Sequence, residues 1–252
     1  MQHAPSRRSL PAISWHRGGS ETEPSASRAA FVAALLAGAE IIEIDVRSMA
    51  DGVLVCVHDE YLEGLGHLAS IRFGELSPEQ QAEIYTLKAF VADLVVHDPE
   101  AKTSVHFDLK EFGHELEAVD ELLNHDRPLF VTTLIDESVV VLRRERPDVL
   151  TYLTIGASTF GKSKLQALRQ RSQEFFPFRR IRASGANGIA IHYALARPWT
   201  LRWCAKRRLS VVVWTVDRSS DLSAWLKRDI AVLTTNRPLR ALELRQALAS
   251  AP

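Results

Sequence analysis

The chain has 252 residues, 46% hydrophobic and 25% charged, and its 31 Lys+Arg are balanced by 31 Asp+Glu. This is ordinary globular composition with chain enough for one large core, and without a basic excess it does not read as a phosphate-neutralising nucleic-acid binder. No apolar run is long enough for a membrane span, no apolar segment follows Arg7 and Arg8 as a signal peptide requires, and Cys56 and Cys204 are too few for a disulfide scaffold.

The first strand-like run, Pro11–His16, is followed by an amphipathic stretch at Ser27–Leu36 and a second strand at Glu40–Val46. Further strands are expected at Thr103–Leu109, Pro128–Thr132, Val149–Thr154, Asn187–Ile191, Ser210–Val216 and Ile230–Thr234. Helical patterns lie between or after them at Glu115–Asn124, Glu137–Glu145, Lys162–Arg171, Pro198–Arg207, Ser219–Lys227 and Leu239–Leu248. Strand–helix alternation implies parallel strands with helical crossovers. Eight such units in about 250 residues predict an α/β fold, a (β/α)8 TIM barrel, over a single domain 1–252. A doubly wound open sheet is the competitor, but no Gly-rich phosphate fingerprint follows the first strand.

One gap breaks the rhythm: 56 residues separate Val46 from Thr103. Asp51-Gly52 signals a hairpin, with Val53–Val57 folding back as a short antiparallel strand. The rest, to about residue 100, reads as a small inserted subdomain with helices at Ser77–Ile84 and near Thr86–Val95. Following a strand's C-terminal end, it belongs on the face where such barrels carry their active sites.

Residues two apart on a strand share a face, so Glu43 and Asp45 both point to the barrel axis. Two carboxylates in an apolar mouth repel each other unless a cation or proton compensates. His106, Asp108 and Lys110 share a face of the third strand, and Asp108 can complete an oxygen site suited to Mg²⁺ or Ca²⁺. A plain salt bridge from Glu43 or Asp45 to Lys110 is the structural alternative. His16, followed by Arg17-Gly18-Gly19, and His58, followed by Asp59, each end a strand at the expected mouth. His106 reads as a buried core histidine and His192 as either a substrate contact or a structural residue; His3, His67, His97, His114 and His125 carry no expected role. Between Lys162 and Arg182, seven basic residues face one acid, Glu174, around Phe175-Phe176-Pro177-Phe178. That segment reads as a solvated helix face, or as a patch for an anionic substrate or transient membrane-surface contact.

Together, His16-Arg17, Glu43-Ile44-Asp45, Asp51-Gly52 and His58-Asp59 resemble the signature of the glycerophosphodiester phosphodiesterase family. Phe107-Asp108-Leu109-Lys110 resembles its E-I-K strand, Trp214-Thr215-Val216-Asp217 its W-T-V-N strand, and Thr235-Asn236-Arg237-Pro238 its closing T-D-x-P segment. The departures are Pro24-Ser25-Ala26-Ser27 in place of P-E-N-T, Lys88-Ala89 in place of an E-E pair, and Asp108 in place of Glu. Ser27 still offers a helix N-cap. Composition, cysteine count and the lack of a span or signal segment point to a soluble cytoplasmic protein; the resemblance implies a metal-dependent hydrolase of small glycerophosphodiesters with His16 and His58 as general acid and base, in an order left open. It implies a divalent ion on Glu43, Asp45 and Asp108, and substrate contacts from Arg17, Lys110 and Trp214. Asp108 followed by Lys110, together with W-T-V-D, also fits a sphingomyelinase D or phospholipase D–like enzyme. A catalytically inactive phosphate-ester-binding paralogue is the reading from a different class.

Overall fold

The computed structural model describes residues 10–156 and 177–250. Along the chain, β1 (Ala12–His16) and β2 (Ile41–Ser48) begin a sheet, and β3 (Leu54–Val55), β4 (Tyr61–Leu62) and β5 (Gly66–His67) lie in the insertion. The strands β6 (Ser104–Leu109), β7 (Leu129–Thr133), β8 (Leu150–Ile155), β9 (Gly188–His192), β10 (Ser210–Trp214) and β11 (Val232–Thr235) continue the sheet. Eight parallel strands, all but the three of the insertion, pair in sequence order. The ring closes because β1 pairs both with β2, Trp15 opposite Ile42, and with β11, Ser14 opposite Thr234. The expected barrel is the observed fold.

Parallel strands covered on both faces read as continuous apolar runs. In β2 every residue but Arg47 is buried: Ile42, Ile44 and Val46 join the core under the helices, while Glu43 and Asp45 turn inward. Inside the barrel an apolar floor of Ile41, Phe130, Tyr152, Ala190, Val212 and Val232 fills its lower part. Burial of each Ile, Phe or Val side chain among them stabilises the fold by roughly 1.5–3 kcal/mol. Polar residues therefore crowd toward one end.

The α-helices are α1 (Arg28–Leu36), α2 (Pro78–Glu83), α3 (Leu87–His97), α4 (Glu115–Leu123), α5 (Asp136–Glu145), α6 (Phe178–Ser184), α7 (Pro198–Lys206), α8 (Ser219–Trp225) and α9 (Pro238–Ala249), and the insertion adds single 3-10 turns at Leu68–Ser70 and Phe73–Glu75. The Ser27 hydroxyl does cap α1, accepting from the Ala30 N–H at 3.1 Å. Ser77 and Gln80 form a reciprocal capping box on α2, with Pro78 in its first turn. The expected helix at Lys162–Arg171 and most of the basic stretch beginning there lie outside the described residues. At that stretch's end Arg180 is paired with Asp136 at 2.7 Å, and Phe178 packs on Trp203 with ring centroids 4.0 Å apart.

In the insertion β3 folds back antiparallel on β2, Val55 opposite Arg47, as the Asp51-Gly52 turn predicts. The segment has a small core of its own, Met49, Val55, Leu68 and Ile71. It is tied to the barrel through Asp93 on α3, which accepts two hydrogen bonds from Arg28 at 2.7 Å and one from Tyr85 at 2.8 Å. Among the described residues no helix is long and apolar enough to cross a membrane.

Candidate active site

The sequence's acidic pairs converge at one end of the barrel. One oxygen each from Glu43, Asp45 and Asp108 lie within 4.8 Å of one another. Asp45 sits opposite Asp108 in the β2–β6 register, so strand pairing alone brings these two together. They line a cavity of about 410 Å³ that also contains His16, Arg17, His58 and Lys110.

Arg17 and Lys110 touch the carboxylates. Lys110 Nζ pairs with Asp45 Oδ1 at 2.7 Å and also with Asp108, while Arg17 Nε lies 2.8 Å from Asp45 Oδ2. The salt bridge expected as the structural alternative is thus present at Asp45. Neither contact to Asp45 is aligned as a hydrogen bond, so both oxygens of a carboxylate 3% exposed lack an aligned donor. Burial works against ionisation of Asp45, but Lys110 and Arg17 outweigh it and hold the group below the usual carboxylate range. Glu43 goes the other way. Burial first, then the Asp45 and Asp108 charges, push it well above that range. Three carboxylates against two cations leave one excess negative charge, and Glu43 is the group whose ionisation this opposes. A divalent cation would reverse the balance to one excess positive charge, matching a phosphodiester monoanion. The donor set therefore fits a hard oxygen-seeking ion.

The turn after β1 supplies a further contact. Arg17, Gly18 and Gly19 have φ of +52°, +83° and +55°, a left-handed run that a side chain at Gly18 would block by meeting the backbone of Ala30 at 2.9 Å. This turn aims the Arg17 backbone N–H at Glu43 Oε2, 2.9 Å away.

His16 is largely buried, its Nδ1 2.7 Å from Asn236 Oδ1 and its Nε2 4.0 Å from Glu43 Oε2. The Asn236 amide donates to Asp217 Oδ2 at 2.9 Å, and the Asn236 backbone N–H donates to Asp217 Oδ1 at 2.9 Å. That fixes the amide: its oxygen faces His16, so Nδ1 carries the proton and Nε2 is left with its lone pair. Burial lowers the pKa of His16. His58 is about half exposed, its Nδ1 2.7 Å from Asp59 Oδ1. Sequence reading quoted Asn236 and Asp217 only as motif positions. Both stand where the family pattern reads Asp and Asn, and that exchange was the available signal for a linked pair.

Trp214 lines the cavity, whereas His192 is not among the lining residues; its ring meets Trp214 edge-on at 5.2 Å. His106 is the core histidine expected. It is buried between Ser14 Oγ at 3.1 Å and Thr132 Oγ1 at 3.0 Å, and Thr132 in turn donates to Asp108 Oδ1 at 2.9 Å. Sequence reading missed Thr132, which links the core histidine to the shortened third carboxylate.

A sequence model of the Glycerophosphoryl diester phosphodiesterase family matches residues 16–240. A glycerophosphodiester phosphodiesterase of Caldanaerobacter subterraneus is 24% identical, over 91% of this chain and 95% of its own. Glycerophosphodiester phosphodiesterase 1 of Bos taurus is 31% identical over 82% of this chain and 72% of its own. Among solved structures, a glycerophosphodiester phosphodiesterase from Parabacteroides distasonis superposes with a TM-score of 0.76 at 19% identity, covering 97% of this chain and all of the other. A phosphodiesterase from Oleispira antarctica, solved with the product sn-glycerol 3-phosphate, superposes at 0.71 and 19% identity, covering 94% and 97%.

Proposed function

The chain belongs to the glycerophosphoryl diester phosphodiesterase family, and from that membership we propose that it hydrolyses small glycerophosphodiesters to glycerol 3-phosphate and an alcohol. The reading takes residues 1–252 as one catalytic domain, active in the cytoplasm. One observation carries it: a carboxylate triad short of one cation shares a single cavity with His16 and His58.

Glu43, Asp45 and Asp108 would hold a Mg²⁺ or Ca²⁺ ion, which when bound supplies Lewis-acid stabilisation of phosphate charge. Lys110 donates to Asp108 and pairs by charge with Asp45, which leaves N–H donors for a phosphate oxygen. Arg17 meets Asp45 through Nε and keeps its terminal amino groups for the same purpose. His16, neutral with its Nε2 lone pair unprotonated, removes the proton from the attacking hydroxyl, either water or the glycerol 2-hydroxyl, the latter giving a cyclic phosphate that water then opens to glycerol 3-phosphate. An amide partner does not stabilise imidazolium as a carboxylate would, so His16 serves as the base rather than the resting acid. His58, half exposed at the cavity mouth beside the Asp59 carboxylate, delivers a proton to the leaving alcohol oxygen. Each role contributes roughly 10²–10⁴-fold. Trp214 packs against the alcohol portion, and His192 supports Trp214 from its edge.

The test is turnover of glycerophosphocholine and glycerophosphoglycerol, with Mg²⁺, with Ca²⁺ and with EDTA, beside lysophospholipid and sphingomyelin. Hydrolysis of the water-soluble diesters that EDTA abolishes and His16→Ala eliminates is the expected result. Cleavage confined to intact lipids would favour the sphingomyelinase D–like alternative, and binding without turnover the inactive paralogue.

A further inference from the structure

The six threonines on the barrel strands do not behave alike. Thr132 bonds His106 and Asp108, Thr133 donates to the Leu109 carbonyl at 2.9 Å, Thr151 to the Val149 carbonyl at 3.3 Å, and Thr235 to Asp217 at 3.1 Å. The hydroxyls of Thr154 on β8 and Thr234 on β11 have no hydrogen-bond partner, although these residues are only 6% and 1% exposed. Both line the active-site cavity. So does Trp214 on β10, whose buried indole N–H is also unpaired. Unpaired polar atoms in an interior are costly and uncommon, and here three are gathered on one wall.

That wall differs chemically from the one opposite. The β2 and β6 side, with the turn after β1 and the β3 hairpin, carries the carboxylates, both cations and both histidines. From β8 to β11 the described lining residues bear no charge: Thr154, Gly156, Ala190, Trp214, Thr215 and Thr234. Gly156 and Ala190 leave this wall recessed. Two hydroxyls and an indole N–H match groups that both donate and accept hydrogen bonds. A trimethylammonium group would satisfy none of the three, and no carboxylate stands on this wall to attract it.

We propose that Thr154, Thr234 and Trp214 form a subsite that binds the hydroxyl groups of a polyol on the phosphodiester. The proposal deepens the functional reading above and rests on it. Polyol hydroxyls can come from the glycerol end or from the leaving alcohol, and two arms of one experiment separate these sources. The proteins are wild type, Thr154→Val, Thr234→Val, the double Val variant, and Thr154→Ser and Thr234→Ser as variants that keep the hydroxyl. The first arm measures binding of glycerol 3-phosphate against propyl phosphate by calorimetry. The second compares kcat/KM for glycerophosphoglycerol with that for the diester whose leaving alcohol is propanol.

In at least one arm, wild type should favour the hydroxylated member by about tenfold or more. The Val variants should shrink that ratio several-fold and the Ser variants should preserve it. A variant damaged only in its fold weakens both members of a pair and leaves the ratio unchanged. Equal ratios in wild type and the Val variants in both arms would overturn the subsite. If no glycerophosphodiester is hydrolysed by wild type, the functional reading fails, and the second arm is then read as calorimetric binding of the same two intact diesters, so both arms still decide the subsite.

Discussion

His106 should make the protein markedly less stable in mild acid. It is 3% exposed and hydrogen-bonded on both sides by neutral hydroxyls, and burial, with the nearby His16, lowers its pKa from 6.5 to about 3. In the unfolded chain the same imidazole takes up a proton below about pH 6.5. Between these values the unfolded state binds more protons, so stability falls as pH falls and levels off only near pH 3. At about pH 5 the gap is roughly 1.5 pH units, or about 2 kcal/mol from this side chain. Glu43, whose folded pKa is raised, acts with the opposite sign in the same range: its contribution is present at low pH and lost as pH rises through its folded pKa. The His106 contribution therefore has to be isolated by difference. Urea unfolding of wild type and His106→Gln, in EDTA, at pH 7, 6 and 5 does this, because Gln can still donate to Thr132 and accept from Ser14. Wild type should lose about 2 kcal/mol more than the variant on going from pH 7 to 5. Parallel pH profiles for the two proteins would refute the reasoning.

Asp108→Asn keeps the side-chain shape and removes one charge, so the apparent affinity for the activating ion, read by titrating activity, should fall at least about tenfold; an unchanged affinity would sink the three-carboxylate site. Asn236→Leu removes the acceptor that holds the His16 proton on Nδ1. It should lower kcat by about 10–100-fold with KM within about twofold, and a change confined to KM would count against the proposed base. Gly18→Ala forces a Cβ against Ala30 at positive φ and should cost about 1–3 kcal/mol in urea unfolding, with activity falling because the Arg17 amide leaves Glu43.

Sequence patterning made the barrel legible because both faces of each strand are buried. The expected Thr103–Leu109 became Ser104–Leu109, and Glu40–Val46 became Ile41–Ser48. The elements missed are those too short to have a period: the two-residue strands Tyr61–Leu62 and Gly66–His67, and the seven-residue helix Phe178–Ser184. At the site, spacing alone put Glu43 and Asp45 on one face. It could not say that Lys110 bridges Asp45 and Asp108, since that depends on the register between two strands separated by the whole insertion. The least legible contact is His16 to Asn236, 220 residues apart in sequence. Only closure of the ring, β1 against β11, brings the ends of the chain together.

Ring closure also accounts for how the cavity is divided. A barrel whose strands pair in sequence order turns position along the chain into position around the mouth. The charged groups on β1, β2 and β6 are consecutive in the ring and so form one wall, and the uncharged residues from β8 to β11 form the other. The three carboxylates thus share a contiguous half of the barrel with the two cations that pair with Asp45. With Lys110 and Arg17 both moved to the opposite half, Asp45 would be buried without a counter-charge. The neutral half is not bound by that constraint, because none of its lining residues pairs with the carboxylates. His16 stands at the seam between the halves, between β2 and β11. It reaches Glu43 on one side and Asn236 on the other, so its orientation depends on both walls being in register.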